Sequence, residues 1–260
     1  MSHQARCAVG VPPWWAVAVL MGLLPGAALA DPLKGVRLDG ERFTFDDGKG
    51  TVRGILVKPA GKGPFPAVLI SHGLGSNAER FARPKVREFI KWGYVCIAPD
   101  YTHSDPQGDR RTFGSSTENL RRARQCLDLL AALPEVDARR VCAYGNSMGA
   151  FVTVGLAAAE PGRLAAAAIT AGGVNRVGGF AAPAQESAAA IRTPFCILHG
   201  TRDTTVPPER SALLESVLKE KKVDCQRHLF EGVGHDLHST RADDVGARIK
   251  AWFEKHTRPK

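Results

Sequence analysis

The sequence predicts an α/β fold: a mostly parallel sheet covered by helices on both faces and opened by an antiparallel hairpin. Three observations predict it. Short continuous apolar runs recur along the chain, among them "AVLIS", "YVCIAP", "AAAAIT" and "FCILHG", and such runs suit strands buried on both faces. Segments with apolar residues at helical spacing alternate with them. The only strand–turn–strand pattern comes before the alternation begins, as an antiparallel lead-in to a parallel sheet does.

The elements follow in order. From Arg42, "RFTF" and "TVRGILVKP" flank the turn "DDGKG" and predict the hairpin. "PAVLISHG" and "YVCIAPD" read as strands, separated by a helix that Pro84 starts and Gly93 ends, with Val86, Phe89 and Ile90 on one face. The next helix is expected to take Thr117 as its N-cap, run through Leu120, Leu127 and Leu130, and stop before Pro134. Strand "RVCAY" then meets the corner "GNSMG" and an Ala-rich helix closing at "EPG". "LAAAAITAG" and "PFCILHG" are further buried strands, and a helix with Leu213, Leu214, Val217 and Leu218 leads to the strand "CQRHLFEG". A last helix carries Val245, Ile249, Trp252 and Phe253 on one face.

Residues 1–30 read as a secretory signal peptide: Arg6 is a basic lead, "WWAVAVLMGLL" from Trp14 to Leu24 an apolar core, and "AALA" a cleavage site ending at Ala30. Pro12, Pro13 and Pro25 bracket a run too short for a membrane anchor, which needs about 20 apolar residues. Cys7 lies upstream of that core, where it does not support a lipidated N-terminus. The expectation is an exported protein, periplasmic or extracellular if bacterial, with residues 31–260 as one domain. No later run is long and apolar enough for stable membrane insertion. The net charge is +9, yet the basic residues are spread along the chain without an aromatic-interleaved cluster, which argues against nucleic acid as a partner. Of the six cysteines, Cys96, Cys142 and Cys196 sit inside apolar strands, and no zinc spacing occurs, so no metal is expected. A disulfide involving Cys126 or Cys225 stays open, as does the oligomeric state.

In mostly parallel sheets, ligands bind beyond the C-terminal ends of the strands. The residues there are "HGLGS" (72–76), "DYTHSD" (100–105), "GNSMG" (145–149), "GGVN" (172–175), "HGTRD" (199–203) and "GVGHD" (232–236). Ser147 stands at the tip of a glycine-flanked strand-to-helix corner, a position that presents a nucleophile, although the same five residues also suit a plain capping turn. A serine hydroxyl needs a base to take its proton and an acid to orient that base. His235 and Asp203 lie in the last two strand-end loops, so the three agree as nucleophile, base and acid. His72 and His199 are the competing histidines, each suited to bracing a loop, while His103, His228, His238 and His256 lack the loop context. Asp100 is expected to tie down its own loop, and Asp236, next to His235, to point elsewhere. An oxyanion formed at Ser147 requires prepositioned N–H donors. Met148 N–H, at the helix start, and Leu74 N–H, in "HGLG", are the candidates.

Taken together, "SHGLGSN", "GYVCIAPDY", "AYGNSMGA", "LHGTRDTTVP" and "EGVGHDLH" resemble the α/β-hydrolase superfamily, and within it the dienelactone-hydrolase-like branch, over nearly the whole of residues 31–260. The resemblance implies a hydrolase of ester or related acyl bonds that uses no metal or organic cofactor. Dienelactone hydrolases proper use a cysteine nucleophile, so Ser147 points away from dienelactone and toward a small-molecule carboxylic ester. The alternatives are a peptidase resembling the prolyl oligopeptidases, for whose accessory domain this chain has no room, and a catalytically silent binding module. Acyl transfer also stays open. The usual cap position, residues 174–193, is short and has few large apolar residues, and no lipase-like apolar lid is evident. The expected substrates are therefore short acyl esters, about two to six carbons. Arg110 and Arg111 of the polar rim loop (residues 101–116), with Arg176, are candidates for meeting a carboxylate-bearing substrate, solvation being the alternative.

Overall fold

The structure, a computed structural model, describes Met1, residues 35–175 and residues 178–258. The expected leader, Met1 aside, and Arg176 lie outside the described residues.

The elements run β1 (Arg37–Asp39), β2 (Arg42–Asp46), β3 (Thr51–Val57), β4 (Phe65–Ser71), α1 (Arg83–Lys91), β5 (Val95–Pro99), α2 (Thr117–Ala132), β6 (Val136–Asn146), α3 (Met148–Ala159), β7 (Ala166–Thr170), α4 (Gln185–Ala188), β8 (Phe195–Gly200), α5 (Glu209–Glu220), β9 (Cys225–Phe230), α6 (Leu237–Thr240) and α7 (Ala242–Thr257). Among the described residues nine strands form one sheet in the order β1-β2-β3-β5-β4-β6-β7-β8-β9. Pairing is parallel from β5 to β9 and antiparallel from β1 through β3 to β5. The expected hairpin is β2–β3. To it is added β1, whose three residues are all exposed and so carry no apolar pattern to betray a strand.

The central strands are apolar throughout because their side chains feed two cores in alternation. Leu69, Ala143 and Ile197 face the helices α2, α3 and α5, whereas Val68, Ile70, Cys142, Tyr144 and Leu198 face α1 and α7. On the second face, Phe89 of α1 stacks on Phe253 of α7, and Tyr94 donates to or accepts from Thr257 at 2.8 Å, joining the start of β5 to the end of α7. The cysteines at 96, 126, 142, 196 and 225 are all free thiols, and burial pushes the thiols of Cys96, Cys126 and Cys142 up, well above the ordinary thiol range, so that they stay protonated. They act as small core hydrophobes.

Two helix starts differ by one residue from expectation: α1 begins at Arg83, one residue before Pro84, and the cap of α2 is displaced. Ser116, with extended backbone, caps α2 by accepting the Asn119 N–H at 3.2 Å, and Thr117 is the first helical residue. Ser115, Ser116 and Thr117 are equally suitable caps by type, so only the backbone torsion separates them.

Candidate active site

The corner between β6 and α3 explains its own sequence. Ser147 has φ 53° and ψ −116°, a left-handed backbone that a non-glycine residue adopts at a cost of about 1–3 kcal/mol. A Cβ on Gly145 would lie 2.2 Å from the Gly149 carbonyl oxygen, and one on Gly149 would lie 2.1 Å from the Ser71 oxygen. Both glycines are therefore required by backbone crowding at the turn. Gly149→Ala meets rigid backbone, so we expect it to cost about 3 kcal/mol or more, a fall in melting temperature of about 6–12 °C, with activity lost as the corner shifts. Thermal denaturation followed by circular dichroism, with specific activity on the same sample, checks this; a melting temperature like that of the unaltered protein would contradict it.

Two loops bring the other side chains to Ser147. A Cβ at Gly200 would lie 2.3 Å from the Val233 oxygen and 2.5 Å from the Gly234 oxygen, so a glycine at the end of β8 lets the loops after β8 and β9 touch. The Arg202 N–H donates to the Val233 carbonyl at 2.9 Å across that contact. His235 Nδ1–H then donates to Asp203 Oδ2 at 2.8 Å, and the Ser147 hydroxyl donates to His235 Nε2 at 2.8 Å. The three residues singled out in the sequence are thus in one hydrogen-bonded line, and it can move a proton from Ser147 onto His235.

Asp203 is held on all sides. Its Oδ1 accepts the N–H groups of Thr205 and Val206, both at 2.9 Å. Its Oδ2 also lies 3.2 Å from Nε2 of the fully buried His199, whose N–H donates to the Val206 carbonyl at 2.9 Å. Burial pushes the Asp203 carboxyl upward, but hydrogen bonds from His199, His235 and the Val206 N–H outweigh it and hold the group well below the usual carboxylate range. His199, which by sequence only braces a loop, is therefore also a second imidazole on Asp203.

Other expectations resolve locally. Asp100 Oδ1 accepts the Ala78 N–H at 2.8 Å, so it ties down the loop after β4 and not its own. Asp236 turns toward His238, 3.3 Å from Nδ1. Among the described residues, neither the Leu74 nor the Met148 N–H donates to another group, and both residues line the cavity above Ser147. His72 braces its loop as expected: Nδ1–H donates to the Gly73 carbonyl at 2.9 Å and Nε2 accepts the Tyr101 N–H at 3.0 Å.

Burial pushes His72 down to about 4, partly offset by its bond to the Gly73 carbonyl. An unfolded histidine takes up its proton near ~6.5, so below that pH the unfolded chain binds more protons than the folded one. The stability contributed by neutral His72 is complete above pH ~6.5 and is lost as pH falls toward 4, by about 3 kcal/mol in all. Urea unfolding at pH 7 and pH 4.5 is expected to show this loss. His72→Asn, which keeps a donor near the Nδ1 position without the titration, is expected to narrow the difference, and an unchanged difference would count against it.

The cavity over Ser147 has a volume of about 380 Å³ and walls of Leu74, Phe81, Met148, Phe151, Phe180 and Val206, with His238 at its edge. Among the described residues, neither arginine nor lysine belongs to this lining. Arg110 lies over the Phe180 ring at 4.5 Å, and Arg111 is held by Asp109 through bonds of 3.0 and 2.9 Å. Neither of these two arginines is among the residues that line the cavity. The apolar walls were not recognised in the sequence, because they come from scattered elements; Phe180, the one aromatic residue of segment 174–193, was the available sign. The segment is fastened to the rim loop by Ser115 N–H donating to the Ala181 carbonyl at 3.0 Å, and Phe180 stacks on Phe113. Among the described residues, no group of three or more His, Cys, Asp or Glu is placed to hold a metal ion.

The family model for the dienelactone hydrolase family matches residues 52–256. The "Uncharacterized peptidase YtmA" of Bacillus subtilis (strain 168) is 27% identical over 231 residues, which cover 78% of this chain and 88% of that protein. "Esterase FrsA" of Klebsiella pneumoniae subsp. pneumoniae is 32% identical over 126 residues, 48% of this chain but only 30% of the esterase. Among solved structures, Thermogutta terrifontis esterase 2 phosphonylated by sarin superposes with a TM-score of 0.64 at 19% identity, covering 80% of this chain and 92% of that one. At that identity the likeness concerns the fold, which is that of the α/β-hydrolases.

Proposed function

This chain belongs to the dienelactone hydrolase family and is a hydrolase of the esterase or peptidase type, and from that premise we propose that it cleaves small, uncharged carboxylic esters through an acyl-enzyme on Ser147. The observation that carries the reading is the unbroken line from Ser147 Oγ through His235 to Asp203, with 2.8 Å at each step. In this reading His235 Nε2 takes the Ser147 proton as Oγ attacks the carbonyl carbon, and the resulting oxyanion is met by the Leu74 and Met148 N–H groups. His235 then protonates the departing alcohol, and a water molecule, deprotonated by the same nitrogen, releases the acid.

The substrate class follows from the cavity. Among the described residues the lining is largely apolar and holds no arginine or lysine, which favours a neutral acyl group over a carboxylate-bearing one, since a buried anion without a partner is costly. A volume of about 380 Å³ accommodates a short acyl chain or an aromatic ring. Comparison of kcat/KM on p-nitrophenyl acetate, butyrate, octanoate and palmitate is expected to peak at acetate or butyrate, with each methylene that fits adding about 0.8 kcal/mol of binding and those beyond adding none. A peptide p-nitroanilide series run beside it is expected to be slower throughout. A maximum at palmitate, or faster turnover of the peptides, would overturn the substrate assignment.

A further inference from the structure

The loop that carries the Leu74 N–H is held from behind by a histidine that takes no part in the relay. His103 is wholly buried. Its Nε2–H donates to the His72 carbonyl at 3.0 Å, and its own carbonyl accepts the Gly75 N–H at 2.9 Å. One residue thus grips the loop on both sides of Gly73 and Leu74. The proton is kept on Nε2 because Nδ1 accepts from Asn119 Nδ2 at 3.2 Å. Asn119, also wholly buried, is oriented in turn by donating to the Gly114 carbonyl at 2.9 Å and accepting from the Thr102 N–H at 3.0 Å.

The His103 ring packs against His72, Tyr101 and Phe113, contacts that do not call for its two nitrogens. A buried polar side chain is tolerated when its partners are satisfied, but an apolar residue of similar size would fill the space without the network. What the network supplies is a fixed position for the His72 carbonyl and the Gly75 N–H, the two ends of the span that holds Leu74. His72 Nδ1–H meanwhile holds the Gly73 carbonyl, whose peptide bears the Leu74 N–H. An oxyanion donor is effective only when it is prepositioned, because reorienting it during the reaction forfeits the gain.

We infer that His103, with its tautomer set by Asn119, is a positioning residue that aims the Leu74 N–H at the oxyanion. The inference rests on the proposed reaction at Ser147. It concerns the transition state and not the resting ester, so its removal lowers kcat and leaves KM in place.

The test compares two replacements in the full protein on p-nitrophenyl butyrate. His103→Gln places an amide N–H near the position of Nε2 and keeps the donor. His103→Leu fills the space without one, and His103→Met serves in its place if the leucine variant does not fold. The apolar variant is expected to lower kcat by about 10–100-fold, less than the ~10²–10³-fold loss of a whole oxyanion donor, with KM within about 3-fold. A trifluoromethyl ketone, which forms a tetrahedral oxyanion adduct with an active-site serine, is expected to bind more weakly by a similar factor. The glutamine variant is expected to recover most of both. Equal kcat in the two variants, or a loss expressed in KM with inhibitor affinity unchanged, would overturn the positioning role. Failure of the reaction scheme itself would be seen separately, as undiminished activity in Ser147→Ala.

Discussion

Ser147→Ala is expected to fold as the unaltered protein does and to lose ester hydrolysis by about 10⁵–10⁶-fold, the scale on which removal of a serine nucleophile acts. The substitution removes one hydroxyl whose side-chain bond is the one to His235 Nε2. Alanine inherits the same left-handed backbone, and the Ser147 N–H that donates to the Thr170 carbonyl at 3.0 Å is untouched. The β6–α3 corner therefore survives, and a loss of activity cannot be assigned to unfolding. A residual rate is expected from the proposed N–H donors and the cavity, which the substitution leaves in place. Reaction with a fluorophosphonate probe, read by intact mass, is expected to add one phosphonyl group to the unaltered protein and none to the variant. Labelling of the variant at the original rate would remove Ser147 from the reaction.

Asp203→Asn is expected to reduce kcat by about 10⁴-fold while changing KM little. The carboxylate accepts two backbone N–H groups on one oxygen, and its other oxygen accepts His235 Nδ1–H with His199 Nε2 3.2 Å away. An amide cannot serve both sides. If its oxygen stays with Thr205 and Val206, its NH₂ faces His235 Nδ1, which must then give up its proton, so that Nε2 carries one and can no longer take the Ser147 proton. If the amide flips, its NH₂ meets two backbone donors. Because the Asp203 carboxyl is held well below the usual carboxylate range, the unaltered protein keeps this group ionised through the acidic range. Any decline of activity on acidification must then come from a group other than Asp203. Steady-state kinetics of the variant across pH give the check, with thermal denaturation as the control for folding. A kcat within tenfold of the original would refute the orienting role.

Much of this was legible in the residues. Period and run length distinguish strands buried on both faces from amphipathic helices, so the alternation that builds the sheet could be read from side-chain polarity. The corner at Ser147 was legible for a related reason: glycines placed two residues before and after a lone serine mark a place where backbone crowds backbone, and the contacts at Gly145 and Gly149 bear out that reading. Asp203 and His235 followed because a parallel sheet gathers the C-terminal ends of its strands along one edge.

What escaped sequence reading has one physical character. The short β1 is exposed and leaves no apolar pattern, and the cap of α2 depends on a torsion that three neighbouring residues could equally adopt. In sequence His199 suited a loop brace and His103 lacked the loop context, and only the folded chain shows what each one touches. One lies against Asp203, and the other grips the loop that bears Leu74. Arg110 and Arg111 were charged residues in the right loop, and their contacts, with the Phe180 ring and with Asp109, were not readable from residue type. The sequence by itself determined the alternation of elements and the identity of the residues at Ser147, Asp203 and His235, because those depend on local polarity, glycine and chain order. The tertiary structure alone decided which buried histidine does what and which side chains wall the cavity, because these follow from contacts between segments far apart in the chain, where distance and hydrogen-bond direction carry information that residue type does not.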